Sequence, residues 1–334
     1  MRAAAIVDGK LTLVERPIPQ VGPADVLVKI ERAGVCGTDL HMPHRAEAEG
    51  IIPGHEVSGT VTEIGTDVDA IAVGQRIAVM PSARCLTCDA CLRGDVQLCY
   101  RQWEGALGFG RDGGYAEYVT VPAASCYPLP DGMSWAHAAL VEPYSVALHG
   151  VNQASPKPTD AAIVIGAGPV GLLVTAVLAA RGLTDITVVE PSELRASTAK
   201  RLGATTVLNG TESLPDGDTG NCALVVECSG ADGLVQESVR LCRAGGTVVI
   251  LGVPTEGRMV SLQPRKWLRK EISLKPSIWY TIDEFKSALE TLAVSDLTDE
   301  ALGLSTRRLD EAPDTFAEIP AGHLVKVQFD PTRL

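Results

Sequence analysis

The pattern of apolar and polar positions changes near the middle of the chain. Before about residue 145, short runs rich in Val, Ile and Thr, such as residues 26–30 and 57–64, are separated by Gly and Pro. Such runs predict β-strands joined by turns. A proline-rich stretch at residues 155–158 indicates a linker or turn, and a different pattern follows it.

From residue 161 onward, apolar strands alternate with helical segments. The pattern predicts strands at 161–165, 186–190, 224–228 and 247–251, and helices at 170–181 and 193–202. Apolar strands that alternate with helices indicate a parallel sheet covered on both faces. The last part of the chain predicts a helix at 283–291 and a strand at 324–329. We therefore expect an α/β protein with a mostly-β part and a doubly wound parallel sheet.

Composition limits the size and the partners of the protein. A length of 334 residues suggests two domains, and 41 acidic against 29 basic residues give a net charge of −12. An acidic chain with 4% aromatic residues is a poor binder of nucleic acid. Residues 161–180 are uncharged, but the glycines and proline within them predict strand, turn and helix rather than a membrane span. Asp8 interrupts the first apolar run, so we expect no signal peptide and a cytoplasmic protein.

A glycine-rich segment, G-A-G-P-V-G, lies between a predicted strand and a predicted helix, which is the context of a dinucleotide-binding turn. Gly166 permits the tight turn, Gly168 lets a pyrophosphate approach the backbone, and Gly171 lets strand and helix pack closely. Pro169 precedes the predicted helix and Val170 begins it, and the free N–H groups at this end attract phosphates.

The next strand carries the signal for the choice of cofactor. Glu190 ends that strand, where an acid accepts hydrogen bonds from ribose hydroxyls and repels a 2′-phosphate. This position favours NAD over NADP. Arg195 weakens this preference for NAD slightly, because a nearby Arg can accommodate the 2′-phosphate.

Four of the nine cysteines follow the spacing C-x2-C-x2-C-x7-C, at Cys85, Cys88, Cys91 and Cys99. Four thiolates on one loop match a closed, tetrahedral structural zinc site. Iron–sulfur ligation and a nucleic-acid zinc finger fit less well, the latter because few basic residues surround the cysteines. Thiolate ligands also indicate a reducing compartment.

A second cluster offers a thiolate, an imidazole and a carboxylate at Cys36, His55 and Glu56. A lone Cys or His is more often a satisfied core residue, but here several metal-binding types accompany a redox cofactor site. Glu142 lies in an apolar setting, where an acid needs a compensating partner. We therefore regard these four residues as candidates for a catalytic metal site.

Together these features resemble the zinc-dependent medium-chain dehydrogenases/reductases over essentially the whole chain. The resemblance rests on residues 36–41, 54–56, 112–118 and 166–171, on the four cysteines, and on Glu142-Pro143. Glu142-Pro143 makes the chain more similar to the polyol (sorbitol-like) and threonine dehydrogenase branch than to the primary-alcohol branch. The resemblance implies a GroES-like catalytic domain at 1–145 with 280–334, a structural zinc lobe at 84–100, and a Rossmann NAD-binding domain at 146–279.

The resemblance also implies roles for single residues. Cys36 and His55 would bind the catalytic zinc, with Glu56 or Glu142 as a further ligand; which of the two binds directly stays open. Asp39 would orient His55, and Thr38 and His41 would form a proton path. The remaining matched positions are expected to line the cofactor: Ser229, Gly230, Val253, and Lys326 near the pyrophosphate.

The expected reaction is hydride transfer from a secondary alcohol to NAD, giving the ketone. A polyol, a cyclitol or aminocyclitol, and a sugar are all compatible substrates. Two alternatives are a threonine or primary-alcohol dehydrogenase of the same fold, and a non-catalytic sensor that binds zinc and NAD. Family members are mostly dimers or tetramers, so we expect a homodimer or homotetramer with two zinc ions per chain.

Overall fold

A computed structural model describes residues 1–217, 220–253, 257 and 259–333. The chain divides into two compact units, Met1–Glu142 with Tyr280–Leu334, and Pro143–Trp279. The strands are β1 Arg2–Val7, β2 Lys10–Glu15, β3 Asp25–Gly34, β4 Glu56–Ile64, β5 Arg76–Val79, β6 Tyr118–Pro122, β7 Cys126–Pro128, β8 Ala161–Ile165, β9 Asp185–Val189, β10 Thr206–Leu208, β11 Cys222–Glu227, β12 Thr247–Ile250, β13 Ser273–Pro276, β14 Leu304–Arg308 and β15 Lys326–Asp330. The helices are α1 Asp89–Leu92, α2 Trp135–Ala154, α3 Pro169–Ala180, α4 Glu193–Arg201, α5 Leu234–Leu241, α6 Pro264–Lys270, α7 Ile282–Val294, α8 Asp299–Leu302 and α9 Ala312–Glu318, with short 3-10 turns between some of them.

The first unit is built on antiparallel pairing. Its main sheet has the order β14-β15-β3-β4-β5-β7, with β6 added on β3, and β1 and β2 form a separate hairpin. Only the β14–β15 pair of the described ladders in this sheet is parallel. The C-terminal strand β15 pairs with the end of β3, with Gln328 opposite Gly34. Apolar side chains of β3 and β15, including Val28, Ile30 and Phe329, are buried in the core between these strands and the hairpin.

The second unit contains a six-stranded parallel sheet with the order β10-β9-β8-β11-β12-β13. This is the strand order of a doubly wound dinucleotide-binding fold, in which ligands bind at the carboxyl ends of the strands. The uncharged residues 161–180 form β8, a turn and α3, as predicted. Among the residues that the structure describes, no helix is long and apolar enough to cross a membrane.

One long element escaped the sequence analysis. Residues Trp135–Ala154 form a single helix, α2, although Pro143 lies in its interior. A proline inside a helix removes one backbone hydrogen bond and usually costs about 3 kcal/mol. Sequence patterns therefore favour a break there, whereas tertiary packing of the buried residues Leu140, Val141 and Ala147 supports a continuous helix.

Candidate active site

Strand pairing brings the candidate metal ligands of the first unit together. Strands β3 and β4 are antiparallel, with Gly34 opposite Glu56. Cys36 follows the end of β3 and His55 precedes β4, so both lie at the same end of this strand pair. One ligand atom each of Cys36, His55 and Glu56 lies within 4.8 Å of the other two. A soft thiolate, an imidazole and a carboxylate at this spacing fit a zinc ion with a further coordination position.

A buried carboxylate ties two of these residues to one another. Asp39 Oδ2 accepts hydrogen bonds from the backbone N–H of Cys36 at 2.9 Å and from the Tyr115 hydroxyl at 2.7 Å. Its other oxygen lies 3.2 Å from His55 Nδ1, which leaves Nε2 as the ring nitrogen available to a ligand. The sequence suggested Asp39 as a partner of His55 but gave no indication of Tyr115.

Charges in this group shift one another. Burial opposes charge on His55, but the Asp39 carboxylate raises the pKa of His55 well above its usual value. Burial likewise disfavours charge on Asp39, yet His55 and the hydrogen bonds to the carboxylate lower the pKa of Asp39. Both shifts favour the charged forms of the two side chains, and a metal bound at His55 Nε2 would compete with a proton there.

Lys326, which was expected near the pyrophosphate, contacts Glu56 in this site, and its expected proximity to a pyrophosphate stays a prediction. Its ammonium donates to both carboxylate oxygens of Glu56, at 2.6 and 2.5 Å, and to the Val35 carbonyl at 2.9 Å. Both side chains are almost completely buried. The reason is the pairing of β15 with β3, which turns Lys326 into the core of the first unit. Its ammonium therefore balances the charge of Glu56.

Glu142 is not one of the three clustered residues, but it lies close enough to interact with the charges of His55 and Glu56. Its Oε1 accepts a hydrogen bond from the Tyr280 hydroxyl at 3.1 Å, and both side chains are buried. Burial raises the pKa of Glu142 to about 7, with a further contribution from the charge of Glu56. Tyr280 carried no recognisable signal in the sequence, because it lies 138 residues from Glu142 along the chain.

Two further candidates lie in the turn after Cys36. Thr38 precedes a 3-10 helix, Asp39–His44, and its hydroxyl is buried with no hydrogen-bond partner in the described protein. His41 is exposed, and its backbone N–H donates to the Thr38 carbonyl at 3.2 Å. A buried hydroxyl without a protein partner is suited to bind a ligand hydroxyl. The ring of Phe109, which the sequence did not single out as a neighbour of the metal, lies 4.9 Å from the ring of His55.

The four-cysteine lobe also assembles as one group. The sulfurs of Cys85, Cys88, Cys91 and Cys99 all lie within 4.8 Å of one another. Backbone N–H groups donate to three of these sulfurs at 3.3–3.5 Å, which favours thiolates. Hydrogen bonds from Thr87 lower the pKa of Cys85 to about 5, whereas desolvation raises the pKa of Cys91 to about 12 before any metal binds. Four sulfurs leave no open coordination position, so the donor set fits a structural zinc ion.

The glycine-rich turn of the second unit has the geometry that a dinucleotide needs. Gly166 has a φ of +93°, and a Cβ on Gly171 would lie 1.9 Å from the Gly166 carbonyl oxygen. A Cβ on Gly168 would meet no atom within 4 Å, so the backbone there is open to a ligand. Gly168 caps α3, Pro169 is its first residue, and Val170 lies in its first turn.

Two buried carboxylates brace the loops around this turn. Glu190 accepts hydrogen bonds from the backbone N–H groups of Ala167 and Ser192, at 2.8 and 2.9 Å. Glu227, at the end of β11, accepts from the backbone N–H groups of Ser229 and Gly230, at 2.7 and 3.0 Å. The sequence analysis named Glu190, Ser229 and Gly230 but not Glu227, which lies within the strand predicted at 224–228.

Two more predicted cofactor residues lie in the second unit. Val253 follows β12 and is largely exposed. Arg195 lies in the first turn of α4, and its Nε is buried with no hydrogen-bond partner in the described protein. A guanidinium in this state has a donor to offer to a ligand.

Known proteins are similar to the chain over most of its length. Residues 22–131 match the family described as alcohol dehydrogenase GroES-like domain, and residues 169–294 match the zinc-binding dehydrogenase family. D-xylulose reductase A from Aspergillus niger is 32% identical over 330 residues, which cover 93% of this chain and 91% of the relative.

Solved structures extend the similarity to the fold. A protein of Sinorhizobium meliloti 1021, described as a zinc-binding dehydrogenase and bound to NADP, superposes with a TM-score of 0.91 at 33% identity and 99% coverage of both chains. Galactitol-1-phosphate dehydrogenase from Escherichia coli superposes with a TM-score of 0.89 at 28% identity, again over 99% of both chains. The predicted fold class, a GroES-like domain joined to a Rossmann domain, is thereby confirmed.

Proposed function

The chain belongs to the zinc-dependent medium-chain dehydrogenase/reductase family and to its polyol-dehydrogenase-like part, and we propose from this premise that it oxidises a secondary alcohol of a polyhydroxylated substrate with NAD. The observation that carries the proposal is the cluster of Cys36, His55 and Glu56, in which the imidazole and the carboxylate are buried. D-xylulose reductase and galactitol-1-phosphate dehydrogenase are named for polyhydroxylated compounds, which supports this substrate class over threonine or a primary alcohol.

Cys36 and His55 would hold the catalytic zinc, and Glu56 would be its third protein ligand. Zinc supplies a Lewis acid that lowers the pKa of a bound hydroxyl group. We propose Glu56 rather than Glu142 as the direct ligand, because its carboxylate is within 4.8 Å of the other two ligand atoms. Glu142, held by Tyr280, would contact the site through a substrate hydroxyl or a water.

Thr38 and His41 would carry the substrate proton to solvent. The Thr38 hydroxyl is buried and has no protein partner, so it can accept a hydrogen bond from the substrate hydroxyl. His41 is exposed and can pass a proton to water. NAD, when bound, would supply the hydride acceptor that oxidation of the alcohol to a ketone requires.

Cofactor preference would follow from Glu190. Its carboxylate is 6% exposed at the end of β9, and its oxygens retain lone pairs for ribose hydroxyls beyond the two backbone bonds. A negative charge there repels a 2′-phosphate, so we propose NAD as the physiological cofactor, with Arg195 allowing a low residual use of NADP. The ratio of kcat/KM for NAD⁺ and NADP⁺ measures this preference directly.

NADH formation across polyols, cyclitols, aminocyclitols, sugars, threonine and simple alcohols tests the reaction. We expect turnover that a chelator abolishes and that is strongest on a polyhydroxylated secondary alcohol. Cys36→Ser should remove turnover while the protein stays folded. A folded Cys36→Ser protein with wild-type turnover would refute the metal assignment, and NADH binding without turnover on the whole panel would favour a sensor.

We further propose a structural zinc in the lobe, a homodimer or homotetramer, and a reducing compartment such as the cytoplasm. The lobe cysteines must stay reduced to act as thiolate ligands, which supports the last point. Metal analysis should give two zinc ions per chain, and light scattering on the purified protein measures the oligomeric state.

A further inference from the structure

We propose that Tyr115 is a positioning residue of the catalytic metal site, acting through Asp39 on both Cys36 and His55. The inference rests on the proposed function, since it takes Cys36 and His55 as ligands of the catalytic zinc. In this arrangement the Tyr115 hydroxyl contributes to metal affinity without touching the metal.

The shorter link runs through a carboxylate, and the Tyr115 hydroxyl also lies 3.3 Å from the Gly34 carbonyl oxygen. The Tyr115 hydroxyl donates to Asp39 Oδ2 at 2.7 Å, and the same oxygen accepts the backbone N–H of Cys36 at 2.9 Å. The other oxygen of Asp39 lies 3.2 Å from His55 Nδ1. Asp39 thus connects two ligands that are nineteen residues apart in sequence, and the orientation of its carboxylate sets the placement of both.

Tyr115 itself is held firmly, which gives its hydroxyl a defined position. The side chain is completely buried, and its ring meets the rings of Phe316 and Phe329 edge-on, with centroids 5.9 and 5.0 Å away. Its backbone N–H donates to the Pro53 carbonyl at 3.0 Å. Its ring also occupies the space beside Gly54, where a Cβ would lie 2.5 Å from a ring carbon.

The contact at Gly54 joins Tyr115 to the ligand segment a second time. Gly54 has a φ of +96° and immediately precedes His55, so the ring packs against the backbone that carries this ligand. Tyr115→Phe would keep this ring packing and remove only the hydroxyl. The substitution therefore separates the hydrogen bond to Asp39 from the structural role of the ring.

Loss of the hydroxyl should weaken metal binding by a limited factor. Removing a partner that directly orients a metal ligand typically reduces metal affinity about 10–100-fold. Tyr115 acts one bond further out, so we expect release of the catalytic metal to become roughly 3–30-fold faster. The lobe metal, held by four cysteines elsewhere in the unit, should be released at the wild-type rate.

The experiment compares wild type, Tyr115→Phe and the control Tyr118→Phe, a half-buried tyrosine three residues further on. Each full-length protein is loaded with Co²⁺, whose absorption distinguishes a one-thiolate site from a four-thiolate site. A chelator is then added and the loss of each signal is followed. We expect faster loss from the one-thiolate site in Tyr115→Phe only, together with a changed absorption spectrum of that site.

A second comparison uses Asp39→Asn, in which the charged acceptor is absent. Adding Tyr115→Phe to Asp39→Asn should change metal release much less than it does in the wild-type background. The inference would be overturned if Tyr115→Phe released the catalytic metal at the wild-type rate or more slowly. It would also be overturned if release became equally faster from the catalytic site and from the lobe. If wild type holds cobalt only in the lobe, the proposed catalytic zinc site itself fails, and this result is distinct from the others.

Discussion

The buried pair of Lys326 and Glu56 gives the sharpest test of the electrostatics of the first unit. Lys326→Met removes the ammonium but keeps most of the side-chain volume, and it leaves the Glu56 carboxylate buried without its cation. Breaking a buried pair on one side costs about 3–5 kcal/mol, because the remaining charge is desolvated and uncompensated. Both carboxylate oxygens lie within 2.6 Å of the ammonium, and both residues are almost fully buried. We therefore expect Lys326→Met to lower the free energy of unfolding by about 3–5 kcal/mol.

The assay is thermal unfolding of the metal-free protein, so that no bound ion compensates for Glu56. For a unit of roughly 200 residues, each kcal/mol lowers Tm by about 2–4 °C, so Lys326→Met should lower it by roughly 6–20 °C. Lys29→Met is the control. Its ammonium lies 3.9 Å from Glu31 on the surface, and its loss should cost less than about 1 kcal/mol.

A double variant, Lys326→Met with Glu56→Gln, removes both charges and should recover most of the lost Tm. If Lys326→Met lowers Tm no more than Lys29→Met does, Lys326 does not compensate for the buried charge of Glu56. An equal loss in the single and double variants would show that packing of the lysine stem, and not its charge, is responsible.

Three further outcomes follow from the geometry. Because the pKa of Glu142 is raised to about 7, its contribution to stability is complete below pH 4.5 and falls by about 3 kcal/mol as the pH rises past 7. In denaturation of the metal-free protein between pH 5 and 8, Glu142→Gln should reduce the dependence of stability on pH. An unchanged pH dependence would contradict the argument that burial raises this pKa. Gly171→Ala places a Cβ against the Gly166 carbonyl and should lower the free energy of unfolding by about 1–3 kcal/mol. Gly168→Ala should weaken NADH binding with little change in Tm. Equal losses of stability in the two variants would be inconsistent with the open space at residue 168. Cys85→Ser should release the lobe metal and lower Tm, measured by metal analysis and calorimetry, and an unchanged metal content would argue against a four-thiolate site.

Local features of the fold were predictable from the sequence. The run of apolar residues in β8, the glycines after it and the apolar residues of α3 lie next to one another in the chain, so their spacing defines strand, turn and helix directly. The four lobe cysteines fall within fifteen residues, and the predicted cluster forms. Where local rules conflict with packing, as at Pro143 within α2, no helix was predicted although one forms.

The partners of the site residues were not predictable in the same way. Lys326 contacts Glu56 across 270 residues of sequence, and Tyr280 contacts Glu142 across 138. The sequence suggested that Lys326 is functional, but only the pairing of β15 with β3 shows that its ammonium forms an ion pair with Glu56. Glu227 likewise has the pattern of a strand residue until the loop after β11 folds back onto its carboxylate.

The sequence by itself determined the chemistry that is present: a glycine turn for a dinucleotide, four closely spaced thiols, and a thiol, an imidazole and carboxylates for a second metal. These features can be recognised from the sequence alone, because local backbone conformation and ligand spacing depend on neighbouring residues. Tertiary structure decided how that chemistry is arranged, namely which cation balances Glu56, which hydroxyl donates to Asp39 and which carboxylate joins the thiol and the imidazole in one cluster. Such contacts depend on strand register, and register is set by burial across the whole sheet rather than by any short stretch of sequence.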